Sequence, residues 1–505
     1  VIGYVRVFGK LVQDNTGAVS RMPILLTPEG PLLPLVEYFR QYLRVRSPSW
    51  MDRVAQAVEL LMQYTSANRS AFADAESLFQ GFMTAMYHGT ISGDGHDQSG
   101  LFWRPRRTRN ANVLIGAVAN FSDWLAKRGL AQSVNPVDLK PQQHERVLAM
   151  AAYEHRRSQA FLGHVMPRAD DAAPTVRVTP LRRSPPVRSD DRPPSFPQDY
   201  FTRLITEGMV RRGYKGHANI IERMNSRDVL ITLLMEGAGL RISEPFHLWV
   251  DDVQINPVDP SQAVVNIYHP SEGMAPRDWR DADGQPAKNR EDYLGRRYAR
   301  SPRHLLYGSS EWAGWKNPTL DNAKTRSMSV HWRCPAYGQL FLVLWQRWLR
   351  ERALLAPNHP WAFVTTKKGQ RGQGKPGSVY TIASFVAAHR RAVERIGLVP
   401  AKANGTTPHG HRHAMGQYMV GADMAAAAIM KILHHASLES QAIYTRPSAE
   451  EANRMLQEAD RRMRGLPESP EPERPKPNAG EELAQLLLAE DRAKSDRKRQ
   501  SRRRK

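Results

Sequence analysis

Cysteine is nearly absent: Cys334 is the only one in 505 residues. A lone thiol excludes an internal disulfide and a zinc site built on thiolates, and it fits a reducing cytoplasm. The sequence also lacks any apolar run long enough to span a bilayer. Its first residues show no basic start, apolar stretch and small-residue cleavage site of a signal peptide. The chain opens on Val1 rather than Met, as a fragment or a literally translated non-ATG start does. Acidic residues are in deficit, 50 Asp and Glu against 72 Lys and Arg, which leaves a net charge of +22. An excess that large points to a polyanion partner, nucleic acid first, and away from a membrane. Residues 492–505 hold part of the excess, but Arg and Lys are spread through the interior segments as well.

With 41 % hydrophobic residues, the chain can build real cores, and its length predicts two or three domains. Residues 1–29 alternate apolar and polar and then reach Asn-Thr-Gly, which predicts an N-terminal arm or hairpin. Residues 30–165 place apolar side chains at three- and four-residue spacings in four segments, LVEYFRQYL, VAQAVELLMQY, ESLFQGFMTAMY and LIGAVANFSDWLAKRG. That spacing predicts a helical bundle, with Gly129 closing the last helix. Residues 166–197 are rich in Pro, Arg and Asp and read as a linker. A second domain over 198–463 opens with helices that include VLITLLMEGAG, then shows strands around WVDDVQIN, AVVNIYH, MSVHW and WAFVTT. It also holds the strong helix YGQLFLVLWQRWLRERALL. Residues 464–505 predict a disordered basic tail with a short helix at LAQLLLAEDRA.

Residues 408–416 read PHGHRHAMG, and His434-His435 follow. Five histidines so close raise the possibility of a metal site. On a strand, His409, His411 and His413 share a face by period two. On a helix only His409 and His413 align, and Arg412 lies beside His409 at i+3. Thr407-Pro408 is a good helix entry, and AMGQYMV continues it. An arginine at the centre also repels a dication. The pattern therefore favours an anion site, such as one for phosphate, made by a histidine, an arginine and a helix N-terminus. A His-ligated metal hydrolase is the alternative.

HGHRH followed by LHHASLESQAIYTR resembles the C-terminal signature of the tyrosine recombinases, the phage integrase family: His-x-x-Arg, then Leu-Gly-His, then Tyr nine residues on. Upstream, GLRISEPFHL resembles the family's first arginine box, in which Arg241 matches the arginine and Glu244 the acidic residue. NANVLIGAVANFSDWLAKRGLAQSVNP is similar to the last helix of the family's core-binding domain. The resemblance covers about residues 30–163 and 198–463. It implies a mainly α fold with a small antiparallel β-sheet: a helical, SAM-like core-binding domain and an α+β catalytic domain.

The resemblance also implies chemistry. Tyr444 attacks the scissile phosphate, Arg241 and Arg412 clamp its non-bridging oxygens, and His409 and His435 hydrogen-bond the phosphate or accept the tyrosine proton. A lysine from a β-hairpin between the boxes is the general acid. DNAKTRSMSVHW nominates Lys324, although Lys288, Lys316 and the Lys367-Lys368 pair also lie between the boxes. Glu244 and His413 support the reacting groups. The 3′-phosphotyrosine conserves the bond energy, so neither cofactor, metal nor ATP is needed. The partners implied are double-stranded DNA, a homo-tetramer on that DNA and accessory proteins of a mobile element, in the cytoplasm and on the nucleoid. The helix over 449–463, with Ala452, Met455, Leu456, Ala459 and Met463 on one face, is expected to dock on a neighbouring subunit. A DNA-binding protein without catalysis is the second reading.

Three departures stand out. His434 occupies the family's glycine, where the backbone approaches DNA closely. His411 occupies a position that is usually apolar. About eighty residues separate Arg241 from Lys324, so residues 269–320 read as an insertion. With Trp279, Trp312, Trp315 and many arginines, it reads as a DNA or protein contact or as a solvated loop.

Overall fold

The computed structural model describes residues 3–12, 19–43, 45–134, 137–138, 143–159, 176–177, 181–183, 193–367, 374–436 and 449–464, together with residues 480, 484–485, 487–489 and 492. The chain divides into two compact units, Val1–Val187 and Arg188–Lys505. Among the described residues no helix is long and apolar enough to cross a membrane.

In the first unit β1 (Val5–Val12) pairs antiparallel with β2 (Val19–Thr27), which also pairs with β3 (Gly30–Pro31). Met22 and Leu25 of β2 are buried against Leu35, Tyr38 and Phe39 of α1 (Leu33–Tyr42). Met51 and Val54 of α2 (Pro48–Ala67) and Phe121 and Trp124 of α4 (Thr108–Lys127) complete that cluster. A second cluster joins α2 and α4 to α3 (Ala75–His88) through Tyr64, Phe79, Phe82, Met86, Ile115 and Val118. Local chemistry sets the helix ends. The Asp74 carboxylate accepts from the Ser77 N–H (2.7 Å) and starts α3. Gly129 takes a left-handed φ of 68° after α4, while the Leu130 N–H reaches back to the Leu125 carbonyl (3.1 Å). Helix α5 (Gln143–Gln159) follows, flanked by the short pair β4 (Val137–Asp138) and β5 (Val176–Arg177).

The second unit begins with α6 (Phe201–Arg203), which runs into a π-turn over Leu204–Gly208, and α7 (Ile220–Arg223). Its centre is α8 (Ser226–Glu236), in which every residue is buried. A helix buried on all sides needs neighbours all round. They include α10 (Pro335–Ala353), α11 (Ile382–Arg395) and α12 (Pro408–Gly421). The antiparallel sheet of β6 (Val253–Ile255), β7 (Ala263–Tyr268) and β8 (Ser327–Ser329) buries Ala263, Val265 and Ile267 in the same core. Helices α13 (Ala426–Ile432) and α14 (Ala449–Met463) follow. The fold class is mainly α with a small antiparallel sheet, as the sequence implies.

Two expectations change. WAFVTT is not a strand of the sheet. Trp361 and Val364 make single bridges to Trp249 and Val379, and the Ala362 N–H donates to the Leu248 carbonyl (2.8 Å). The segment is buried and apolar like a strand, but its partners are loops. Nor is the insertion a solvated loop. Inside it, α9 (Arg290–Tyr298) begins with Arg290, which is paired bidentately with buried Asp252 and lies over the rings of Trp249 (4.0 Å) and Tyr268 (4.1 Å). Arg303, only 1 % exposed, donates to the carbonyls of Phe246 (2.8 Å), Glu311 (2.8 Å) and Tyr380 (3.1 Å). Trp279 meets Tyr293 edge-on at 5.2 Å, and Trp312 meets Tyr307 at 5.1 Å. In the segment expected to be a disordered tail, Ala484 and Leu487 are buried in the main core. On α14, Leu456 and Met463 are exposed.

Candidate active site

Three chain segments meet at Arg412. The first is the turn after α8, where Gly239 takes a left-handed φ of 68° and its carbonyl accepts from Arg412. A Cβ there would press on the Leu433 side chain at 2.5 Å. The second is α12 itself, which carries Arg412 in its second turn and buries it to 3 % exposure. Gly410 admits the approach, since a Cβ on it would fall 1.7 Å from the Gly405 carbonyl oxygen. The third is the end of α13, where Arg412 donates to the Leu433 carbonyl (2.9 Å) and to His435 Nε2 (2.8 Å). Two carbonyls and an imidazole thus fix the direction of the guanidinium.

Arg241 is fixed by different means. The Glu244 carboxylate accepts from the Arg241 backbone N–H (2.7 Å) and from its guanidinium (2.9 Å). Glu244 is buried at 2 % exposure, whereas the Arg241 side chain keeps 19 % of its surface. One carboxylate therefore sets both the backbone and the side chain, and leaves part of the guanidinium open for an anion.

The histidines divide by role. His435 is buried, and burial together with Arg412, Arg241 and His434 pushes its pKa down to about 3. It is therefore neutral at pH 7, with Nε2 accepting from Arg412. His409 is the exposed one, and its pKa is lowered by burial of its ring, then by Arg412, Lys316, Lys402 and Arg241. The charges of Arg412 and Arg241 thus both act on His409. His413 meets His409 edge-on at 4.4 Å and is pushed down to about 4 by burial, with His409 and Arg412 adding to it.

His411 faces the other way, as the helix requires. Its Nδ1 lies 2.7 Å from the Glu236 carboxylate and its Nε2 lies 2.8 Å from Nε2 of His389 on α11. A carboxylate only accepts, so His411 donates from Nδ1 and receives from His389. Gln198 donates to the same carboxylate (2.9 Å), and Phe196 stacks on the His411 ring at 4.5 Å. The histidines of the cluster thus do not converge as ligands, and no metal-binding group of three His, Cys, Asp or Glu occurs among the described residues.

His434 has a conformational explanation. Its N–H donates to the Lys431 carbonyl (3.1 Å) and the His435 N–H to the Met430 carbonyl (3.0 Å). This pattern closes a helix with a left-handed residue, normally glycine, and His434 has φ 51°. Its ring turns inward, 1 % exposed, stacked on His331 at 6.1 Å with Nδ1 3.7 Å from the Asp321 carboxylate. The side chain therefore does not occupy the space above the backbone that the sequence reading assigned to DNA.

Lys324 is exposed at the entry to β8, its backbone N–H donating to Asn322 Oδ1 (3.0 Å). Tyr444 lies outside the described residues. Sequence reasoning missed Glu236, His389 and Asp321. Only the placing of Glu236 directly after the apolar run Leu233-Leu234-Met235 hinted at the first.

Residues 336–451 match the model of the phage integrase family. Arg412, His409, His435 and Tyr444 fall within that span, and Arg241 and Lys324 outside it. No curated protein matches the chain. Among solved structures the chain is similar to the XerH site-specific recombinase bound to its difH substrate, at 13 % identity over 84 % of this chain and 82 % of that one, TM-score 0.42. It is similar to the Tn1549 transposon integrase in complex with transposon right end DNA, at 15 % identity over 79 % of this chain and 98 % of that one, TM-score 0.31. It is also similar to a lambda integrase dimer bound to a core site, at 10 % identity over 88 % of this chain and 95 % of that one, TM-score 0.28. Residues 336–451 are thus similar to the phage integrase family.

Proposed function

We propose that this protein is a site-specific DNA recombinase that cuts and rejoins DNA through a 3′-phosphotyrosine on Tyr444, integrating or excising a mobile element. The observation that carries the reading is the joining of Arg412 to His435 at 2.8 Å, with the charges of Arg412 and Arg241 both acting on His409 and His435. Two arginines from segments 171 residues apart converge. That arrangement fits the pentacoordinate phosphate of a transesterification, which gathers negative charge on its non-bridging oxygens.

In this reading Tyr444 bonds to phosphorus as the bond to the 5′ oxygen breaks. The phenolic proton passes to the neutral imidazole of His409. The His435 ring orients Arg412 rather than carrying charge, since its Nε2 is engaged as an acceptor. A second 5′ hydroxyl then reverses the step on a new strand, which consumes neither ATP nor a metal ion. Double-stranded DNA binds mainly through phosphates, in keeping with a net charge of +22. A homo-tetramer on DNA and accessory proteins complete the proposal.

The test is a covalent adduct. Purified protein in EDTA is mixed with nicked duplex carrying the sequences that flank its gene. An SDS-stable, protease-sensitive protein–DNA band, absent with Tyr444→Phe, is expected. Binding without a band would favour a catalytically silent DNA-binding protein, and activity restored only by zinc would favour a hydrolase.

A further inference from the structure

The connection between β7 and β8 is a folded insertion rather than a hairpin turn, and this changes which lysine lies at the phosphate pocket. The last part of the insertion is laid along the pocket before the chain reaches β8. Ala313 is fully buried in the main core. The Gly314 carbonyl lies 3.3 Å from His247 Nε2. The Trp315 indole meets the rings of His247 (5.4 Å) and His269 (5.6 Å). Pro318 is buried. Thr319 then donates its N–H to the His434 carbonyl (3.3 Å) and its hydroxyl to the His435 carbonyl (3.0 Å).

Residues 314 and 319 are therefore pinned on either side of Lys316, the second of them to the same turn that holds His435 against Arg412. Between the pins Asn317 takes a left-handed φ of 44°, a conformation that persists where surrounding contacts impose it. Lys316 is exposed and forms no ion pair among the described residues. Its charge acts on His409 more strongly than those of Lys402 and Arg241. Lys324 lies eight residues further on, at the surface turn before β8.

We propose that Lys316, delivered by the insertion, is the general acid for the leaving 5′ oxygen, in place of Lys324. The inference rests on the reading of Tyr444 as nucleophile. As the tyrosine oxygen bonds to phosphorus and the phosphorus–O5′ bond breaks, the Lys316 ammonium gives a proton to O5′. The lysine is left neutral and the DNA ends in a free 5′ hydroxyl. In the reverse step the neutral amine takes the proton back from the attacking hydroxyl.

The experiment compares two nicked duplexes, one with an ordinary scissile phosphodiester and one with sulfur at the 5′ bridging position. A thiolate leaves without protonation, since a thiol has a pKa of about 8.5, so a missing acid matters only for the oxygen substrate. Wild type, Lys316→Ala, Lys324→Ala and Tyr444→Phe are assayed for adduct on both. Lys316→Ala is expected to lose about 10²–10⁴-fold in rate on oxygen and to return to within about tenfold of wild type on sulfur. Lys316→Ala cleaving oxygen at the wild-type rate, or falling equally on both substrates, would overturn the assignment. So would a sulfur-rescued loss in Lys324→Ala instead. An adduct that persists in Tyr444→Phe, or none with wild type, would remove the underlying reading itself.

Discussion

Acid should loosen the second unit well before its carboxylates titrate. His359, His413 and His435 are 3 %, 8 % and 5 % exposed. Burial, reinforced by nearby charges, holds them at about 3, 4 and 3 against the ordinary 6.5. In the unfolded chain each takes up a proton near pH 6.5, while the folded chain refuses it. The folded pKa is depressed, so the stabilisation is complete above pH 6.5 and is lost as the pH falls towards the folded values. Between pH 7 and pH 5 each histidine then costs about 2 kcal/mol, or about 6 kcal/mol for three. Relaxation and water entry reduce this, so about 3 kcal/mol is a lower figure. Either is a large part of the 5–15 kcal/mol typical of a folded domain. The melting temperature is expected to fall on the order of 10 °C between pH 7 and pH 5, measured by tryptophan fluorescence or calorimetry. His359→Gln should flatten the slope by about 1.4 kcal/mol per pH unit. A melting temperature constant to about 2 °C over that range, with a fall only where carboxylates protonate, would refute the reasoning.

Other perturbations test the site's construction. Arg412→Lys cannot reach both carbonyls and His435 with one ammonium, and adduct formation is expected to fall about 10²–10³-fold with binding largely kept. His411→Leu removes the Nδ1–H donor from buried Glu236, and urea denaturation should show a loss of about 1–3 kcal/mol. Adding Glu236→Gln to that variant should cost less than the two separate losses combined, because both act on one network. Gly410→Ala drives a Cβ into the Gly405 carbonyl, and a destabilisation of about 2 kcal/mol or more is expected from the same denaturation curves. An unchanged curve would mean that the turn before α12 yields freely.

Much of this protein is legible in one dimension. Four amphipathic segments specify the helices of the first unit, because a helix repeat of 3.6 puts their apolar residues on one face. Thr407-Pro408 marks the start of α12, and α12 in turn separates His411 from His409 and His413. The spacing His409, Arg412, His435, Tyr444 carries the family resemblance without any contact being known. Other features come only from tertiary structure. WAFVTT reads as a strand because it is buried, and only the fold shows that loops, not strands, lie beside it. His434 reads as an intrusion towards DNA, but its φ and the two hydrogen bonds around it make it a helix-closing residue whose ring points inward. Glu236 and His389 are 175 and 22 residues from His411 in sequence, so no local pattern joins them.

 

Neither distance corresponds to a helical or strand repeat, so the buried network exists only once α8, α11 and α12 pack together. The choice between Lys316 and Lys324 has the same character. Sequence order favours the lysine next to β8, whereas the hydrogen bonds of Thr319 tie the chain three residues after Lys316 to the His434-His435 turn. Spacing along the chain fixed the helices and the reacting residue types, because both depend on short-range periodicity. Which side chains share a pocket depended on long-range packing, and that only the tertiary structure decided.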